Sequence, residues 1–348
     1  MKCFVSGGGT GGHFFPALAL LEGLVERDRE SYFVGSERGI EYRLRDMIPV
    51  KSLFLPSHPF MGRGAGDRIR AIFKNLNSSL RIAKLISKGD KGVVFGGYAS
   101  LPLGIASILK RASLYIHEQN SVPSQSNRLL SRFAEKIFIT FEYSRRFLPS
   151  DRTIRTGLPV RKSLIEGLKI SRDYAINSLG LEDRTTLLVM GGSQGASFLN
   201  SIAKEIFLRT GWQGIHITGE RDYKELRSFY QERELKVLAL PFYQPMHLLY
   251  RASTIALSRS GASSIAELSL YGIPTLFIPF PYAVYDHQFY NAKEIEEGGG
   301  ALVFRQEGAE VGKVIKGLEL LLEDHKEFSK RISTFSNPFA CEEIIKYI

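Results

Sequence analysis

One device constrains this chain more than any other, because it occurs twice: a short apolar run, a glycine-rich turn, then a helical pattern. Residues 2–6 read as a buried strand, Ser6-Gly-Gly-Gly-Thr-Gly-Gly-His13 as the turn, and residues 16–26 as a helix with Pro16 near its first turn. The same order restarts with a strand at 186–190, the turn Gly191-Gly-Ser-Gln-Gly-Ala196 and a helix at 198–207. Further apolar runs at 32–34, 92–95, 113–116 and 136–139, then at 214–217, 236–240, 254–257 and 275–278, alternate with helical patterns such as 103–109. That alternation predicts βαβ units, hence an α/β chain with two doubly wound parallel sheets.

A length of 348 residues suits two domains of about 150 residues each. The run Thr156-Gly-Leu-Pro-Val-Arg161 has the Gly and Pro of an interdomain connection, which sets the expected domains at 1–160 and 161–337. Asn337-Pro338 breaks the chain again, and the last stretch, 338–348, is expected to pack back on the first domain as a helix.

Charge is unevenly divided. Residues 1–160 hold 24 Lys and Arg against 13 Asp and Glu, a balance of +11, while the remainder holds 22 against 23. An excess confined to one half favours an anionic partner, whether a phosphorylated substrate, a membrane surface or a nucleic acid; a solvated basic surface is the plain alternative. The basic residues are not interleaved with aromatic residues in repeats, which argues against nucleic acid. Cys3 and Cys341 have no metal-ligand spacing and suggest a reducing compartment. The glycines straight after Cys3–Val5 interrupt any leader or membrane-spanning pattern at this end.

Each glycine turn follows a strand and opens a helix, so backbone amides and a helix terminus stand ready for phosphate. Gly7, Gly9 and Gly12 also satisfy the dinucleotide fingerprint, with Glu37 as its ribose-binding acid, which keeps an NAD-dependent oxidoreductase in contention; a plain packing turn is the other alternative. His13 separates this loop from an ordinary fingerprint, because it puts a titratable group with a usual pKa of about 6.5 at the helix start. In the second loop Ser193 adds a hydroxyl donor. A third run, Ser258-Arg-Ser-Gly-Ala-Ser-Ser-Ile-Ala-Glu267, again pairs a strand end with a small-residue helix start, and Glu267 has the chemistry to accept from a ribose diol. Asp286-His-Gln288 and Asn291 form a polar set suited to sugar hydroxyls, or a solvated loop. No Asp-x-Asp pair occurs, so no metal or other cofactor is expected at a nucleotide diphosphate.

Taken together, these motifs resemble the bacterial MurG enzymes of glycosyltransferase family 28. The resemblance covers nearly the whole chain in matching order: Gly-Gly-Thr-Gly-Gly-His13, Gly96-Gly-Tyr-Ala-Ser100, His117-Glu-Gln-Asn120, Gly157-Leu-Pro-Val-Arg161, Gly191-Gly-Ser-Gln-Gly-Ala196, Ser260-Gly-Ala262 with Glu267, and Gln288 with Asn291-Ala292. It implies a GT-B fold, two Rossmann-like domains facing across a cleft. The implied reaction transfers N-acetylglucosamine from UDP-N-acetylglucosamine, with inversion, to the C4 hydroxyl of lipid I, undecaprenyl-diphosphate-linked N-acetylmuramyl-pentapeptide. By motif position, Ser193, Arg161 and the backbone of Ala262, Ser263, Ser264 and Ile265 would hold the diphosphate and Glu267 the ribose. Gln288 and Asn291 would take the N-acetylglucosamine and Tyr243 would lie beside the uracil. Thr10, Gly11, Gly12 and Asn120 would complete the site, with His13 as the base. Two departures stand out: Leu101 where the family usually has Gly, and Leu158 where it often has Asn.

A lipid-linked acceptor gives the basic half a purpose. Ile69, Ile72, Phe73, Leu76 and Leu80 recur at helical spacing among Arg68, Arg70, Lys74, Arg81, Lys84 and Lys88, a pattern that fits either an anionic bilayer or the chain's own sheet. The expected location is the cytoplasmic face of the membrane, bound peripherally by this helix and by the loop at 56–66 with Phe60 and Met61. A UDP-sugar epimerase of the same fold would keep the donor motifs without needing a basic, lipid-facing half.

Overall fold

In a computed structural model the protein is described over residues 1–57, 65–191 and 196–348, with side chains omitted for 65–71. The chain divides into two compact units, Met1–Arg161 with Asn337–Ile348, and Lys162–Ser336. Among the described residues the first unit has seven parallel strands: β1 Cys3–Ser6, β2 Ser31–Ser36, β3 Lys51–Leu55, β4 Lys91–Val94, β5 Ser113–Glu118, β6 Lys136–Ile139 and β7 Thr153–Arg155. They lie in the order β3-β2-β1-β4-β5-β6-β7, so the winding direction reverses between β1 and β4.

This sheet is covered on both faces, and its strands show why they are apolar throughout. Phe4, Val94, Leu114, Ile116, Ile137 and Ile139 enter one buried cluster, while their alternates Cys3, Val5, Val93, Phe95, Tyr115 and Phe138 enter the other. Phe14, Ala17, Leu18 and Leu21 of the helix Gly11–Val25 cover the second face, joined by Cys341, Ile344 and Ile345 of the helix Ala340–Ile345. Gly23 permits that approach, since a Cβ there would lie 2.5 Å from Cys341 Sγ.

The second unit has six parallel strands among the described residues: β8 Thr186–Met190, β9 Gln213–Ile217, β10 Val237–Leu240, β11 Ile255–Ser258, β12 Thr275–Phe277 and β13 Ala301–Val303. Their order is β10-β9-β8-β11-β12-β13, with the reversal between β8 and β11. Leu187, Val189, Ile255 and Leu257 pack with Leu199, Ile202 and Ile206 of the helix Ser197–Thr210. His216 is fully buried, with Nδ1 against Tyr230 Oη at 2.8 Å and Nε2 against Asn200 Oδ1 at 3.0 Å, and burial pushes its pKa down to about 3.

Two parallel sheets are therefore present, as expected. The sequence pattern missed β3, β7 and β13, all short strands at sheet edges. The first helix begins at Gly11, five residues before its expected start, and Pro16 lies in its interior rather than near its first turn. The only helix bond this proline forgoes is the one to Gly12, still beside the open end of the helix. Among the described residues no helix is long and apolar enough to cross a membrane.

Candidate functional site

In doubly wound sheets, ligands bind at the carboxyl ends of the strands where the winding reverses. In the first unit that point carries the loops after β1 and β4, with the loop after β5 beside them. Thr10, exposed and extended, precedes the helix Gly11–Val25, and its carbonyl accepts from the amides of His13 and Phe14. Gly11, Gly12 and His13 form the first turn. The loop is built around a carboxylate. Glu41 is fully buried and accepts from the amides of Gly9 at 2.8 Å and Ser36 at 3.0 Å. A Cβ on Gly8 would fall 2.3 Å from its carboxyl carbon. Glycine is thus required here by a buried anion, and that anion occupies an amide a cofactor phosphate would need. Glu37, the fingerprint acid, is exposed and takes no part in the loop.

His13 Nδ1 lies 2.8 Å from Gln119 Oε1. Gln119 is fully buried, and its Nε2 donates to the His117 carbonyl at 3.0 Å and meets His117 Nδ1 at 3.2 Å. His117 Nε2 in turn donates to the Gly157 carbonyl at 2.9 Å. Burial pushes the His117 pKa down to about 4. The neighbouring Glu118 is buried and folds the next turn around itself, accepting from the amides of Asn120 and Ser124 and from Asn127 Nδ2 at 2.8 Å. Its burial holds the carboxyl above the usual range, against the pull of these donors. Ser100 Oγ ties the β4 loop to β1, lying 2.9 Å from the Ser6 carbonyl and 2.7 Å from that of Gly96. Leu101, the departure from the family pattern, is buried in the hydrophobic core.

In the second unit the loop after β11 leads through Arg259, Ser260 and Gly261 into the helix Ala262–Leu270. Ala262 and Ile265 are buried, Ser263 and Ser264 half-buried. Ser263 Oγ has no hydrogen-bond partner among the described residues. Glu267 stands one turn further along, and its Oε2 accepts from Tyr250 Oη at 2.6 Å. Gln288 and Asn291 hold the surrounding loops: Ser260 Oγ donates to the Gln288 carbonyl at 2.8 Å, the Phe280 amide donates to Gln288 Oε1 at 3.0 Å, and Asn291 Nδ2 donates to the Ser260 carbonyl at 3.2 Å. Asn291 is fully buried. Arg259 is buried as well, its Nη1 donating to the carbonyls of Ile278 and Pro279 and its Nη2 to Gln306 Oε1 at 2.7 Å. Burial pulls its pKa down to about 10, still charged at neutral pH. Tyr243, half-buried, follows the edge strand β10.

The structure thus gathers Thr10, Gly11, Gly12, His13 and Asn120 at one reversal point, and Ala262, Ser263, Ser264, Ile265, Glu267, Gln288 and Asn291 at the other. Arg161 lies in the first unit, buried with its guanidinium 4.9 Å over the Phe15 ring. Ser193, Phe60 and Met61 lie outside the described residues. Glu41 escaped sequence reading, while His117, Gln119 and Arg259 stand inside motifs that the sequence analysis quotes without giving them a role.

Comparison with known proteins fits this architecture. Residues 3–139 match the glycosyltransferase family 28 N-terminal domain, and residues 186–344 its C-terminal domain. A protein of Aquifex aeolicus (strain VF5), named "UDP-N-acetylglucosamine--N-acetylmuramyl-(pentapeptide) pyrophosphoryl-undecaprenol N-acetylglucosamine transferase", is 45% identical over 95% of both chains. Its namesake from Sulfurihydrogenibium sp. (strain YO3AOP1) is 36% identical over 100% of this chain and 97% of its own. The crystal structure of MurG from Acinetobacter baumannii, 24% identical, shares the GT-B fold with a TM-score of 0.78 over 100% of this chain and 98% of its own. With identity of this degree over nearly its full length, the chain belongs to glycosyltransferase family 28, among these N-acetylglucosamine transferases.

Proposed function

We propose that this chain transfers N-acetylglucosamine from UDP-N-acetylglucosamine to the C4 hydroxyl of undecaprenyl-diphosphate-linked N-acetylmuramyl-pentapeptide, inverting the anomeric centre. The activity named for its relatives supports the substrates. The observation that carries the chemistry is His13, held at a helix start by a buried amide while Glu41 occupies the adjoining loop. That loop is built to present a base.

In the reaction the acceptor oxygen forms its bond to the anomeric carbon as the bond from that carbon to UDP breaks. The hydroxyl proton passes to His13, and the electron pair leaves with the diphosphate. The amides of Ala262 to Ile265, at the positive end of a helix, stabilise that leaving charge together with Ser193, Arg161 and the nearby positive charge of Arg259. Glu267, with one oxygen anchored by Tyr250, serves the ribose. Gln288 and Asn291 serve the N-acetylglucosamine, Tyr243 the uracil, and Thr10 to Gly12 with Asn120 the acceptor side.

The work takes place at the cytoplasmic face of the membrane, bound peripherally. In the helix Ala65–Ala83, Asn75, Ser78, Ser79 and Ile82 are buried, whereas Ile72, Phe73, Leu76 and Leu80 are exposed. An apolar stripe turned outward beside Arg81 and Lys84 suits an anionic lipid surface.

Labelled UDP-N-acetylglucosamine incubated with and without a lipid I analogue tests the reading. UDP release that depends on the acceptor is expected; release without it points instead to an epimerase. His13→Ala should lower turnover far more than UDP affinity, and an unchanged turnover removes His13 as the base.

A further inference from the structure

We propose that Gln119, itself oriented by His117 and the Gly157 carbonyl, is a positioning residue that holds neutral His13 as the Nδ1–H tautomer and so makes Nε2 the proton-accepting nitrogen. The inference rests on the reading of His13 as base and adds which of its nitrogens acts and what selects it.

The assignment follows link by link from groups with one possible role. The Gly157 carbonyl only accepts, so His117 carries its proton on Nε2. A neutral imidazole then has a lone pair on Nδ1, and burial keeps His117 neutral. The His117 carbonyl also only accepts. Gln119 therefore turns Nε2 towards both His117 acceptors, at 3.0 and 3.2 Å, and the reverse orientation would set oxygen against two lone pairs. Its Oε1 is left facing His13 at 2.8 Å, and an amide oxygen accepts. His13 must donate from Nδ1, so the lone pair of the neutral ring is on Nε2.

Burial makes this arrangement selective. Gln119 and His117 are both fully excluded from solvent, so water does not substitute for a mismatched partner. The opposite edge of His13 lies against Gly97, where a Cβ would stand 3.1 Å from Cδ2 and 3.6 Å from Nε2. Gly97 has φ +75°, a conformation suited to glycine, and any side chain there would crowd the nitrogen that takes the proton. A ring between these two neighbours has its orientation and its tautomer set together, before substrate arrives.

Long-range proton–nitrogen correlation spectra of the full-length enzyme labelled with ¹⁵N-histidine, at neutral pH, test this directly. His13 is assigned by the signal lost in His13→Ala. We expect a protonated Nδ1 and an unprotonated Nε2; a protonated Nε2 overturns the proposal. In Gln119→Leu we expect His13 to move towards the Nε2–H form and kcat to fall by at least about tenfold with KM for UDP-N-acetylglucosamine unchanged. The same tautomer and the same kcat in that variant overturn it as well. Should Gln119→Leu not fold, the wild-type spectrum decides alone. Failure of the base reading looks different: His13→Ala then turns over at the wild-type rate, and the chemical consequence of the tautomer falls with it.

Discussion

The outward apolar stripe of the helix Ala65–Ala83 allows a perturbation whose effects on binding and on folding separate cleanly. Ile72, Phe73, Leu76 and Leu80 are exposed to 53, 68, 43 and 51%. Fully burying side chains of this size is worth about 1.5–3 kcal/mol each, so covering the exposed half contributes about 1 kcal/mol per residue and about 4 kcal/mol for the four. Replacing all four with Gln should then weaken partitioning onto anionic vesicles by about 10³-fold, at about 1.4 kcal/mol per factor of ten. Gln has nearly the helix propensity of Leu, so the helix itself is preserved.

Folding should hardly change. Surface substitutions of this kind stay within about 0.5 kcal/mol each, whereas truncating four core residues would cost about 2–5 kcal/mol apiece. The assay is co-sedimentation with phosphatidylglycerol-containing vesicles across a salt series, beside urea denaturation of the same protein. Arg81, Lys84 and Lys88 remain in the variant, so a weak, salt-sensitive binding should persist. Unchanged partitioning would refute the reasoning. So would a loss of several kcal/mol in stability, because it would mean the stripe packs against protein.

Three further expectations follow from single contacts. Tyr250→Phe removes the 2.6 Å bond to Glu267, worth about 1.5–3 kcal/mol for a charged acceptor, and should raise KM for UDP-N-acetylglucosamine at least about tenfold with kcat little changed; a fall in kcat at constant KM would contradict it. Glu41→Ala strands the amides of Gly9 and Ser36, at about 1–3 kcal/mol each, and should cost about 2–6 kcal/mol in urea unfolding; a cost below about 1 kcal/mol would sink the account of the loop. Stability should also fall on acidification. The folded pKa values of His117 and His216, about 4 and about 3, lie below the unfolded value of about 6.5, so the unfolded chain takes up protons first as pH drops. Their contribution is complete above about pH 6.5 and lost towards about pH 4 for His117 and about pH 3 for His216, at up to about 1.4 kcal/mol per pH unit for each. Glu118, with its pKa raised by burial, opposes this trend. Urea midpoints that stay flat from about pH 6.5 to 5 would refute the assignment.

What the sequence revealed and what it hid divide along physical lines. Central strands were legible because both their faces are buried, which makes them continuously apolar, as in Cys3–Val5 or Leu187–Val189. β3 runs Lys-Ser-Leu-Phe-Leu at an edge, half in solvent, and carries no such signature. Among the site residues, His13 could be read from its place after six loop residues, but its partner Gln119 is 106 residues away and only the packing of β1 beside β4 and β4 beside β5 brings them together. Glu41 was passed over for Glu37 because the fingerprint counts positions. Which acid turns inward is decided by the short helix Ile40–Arg43 after β2, and that turn buries Glu41 and exposes Glu37. Leu101, where the family usually has Gly, is a departure the sequence could list but not orient; the structure buries it in the core.

The repeated strand, glycine turn and helix invites the inference of two equivalent phosphate cradles, and the buried charges argue against equivalence. A helix terminus contributes about half a positive charge, enough to attract an anion unless a fixed charge answers it first. In the first unit Glu41 supplies that answer from within the protein, bonded to the loop's own amide, so a second anion at Gly9 meets repulsion and a lost donor. On the proposed reading, what this terminus presents is a histidine whose Nδ1 is already engaged by Gln119. In the second unit the buried charge in the loop that leads into the helix Ala262–Leu270 is Arg259, whose bonded oxygens are carbonyl and amide oxygens and bring no opposing charge. On the proposed reading, a departing diphosphate is stabilised at the second terminus and disfavoured at the first. On that reading the sign of one buried side chain at each reversal point divides the labour that the matching glycine patterns conceal.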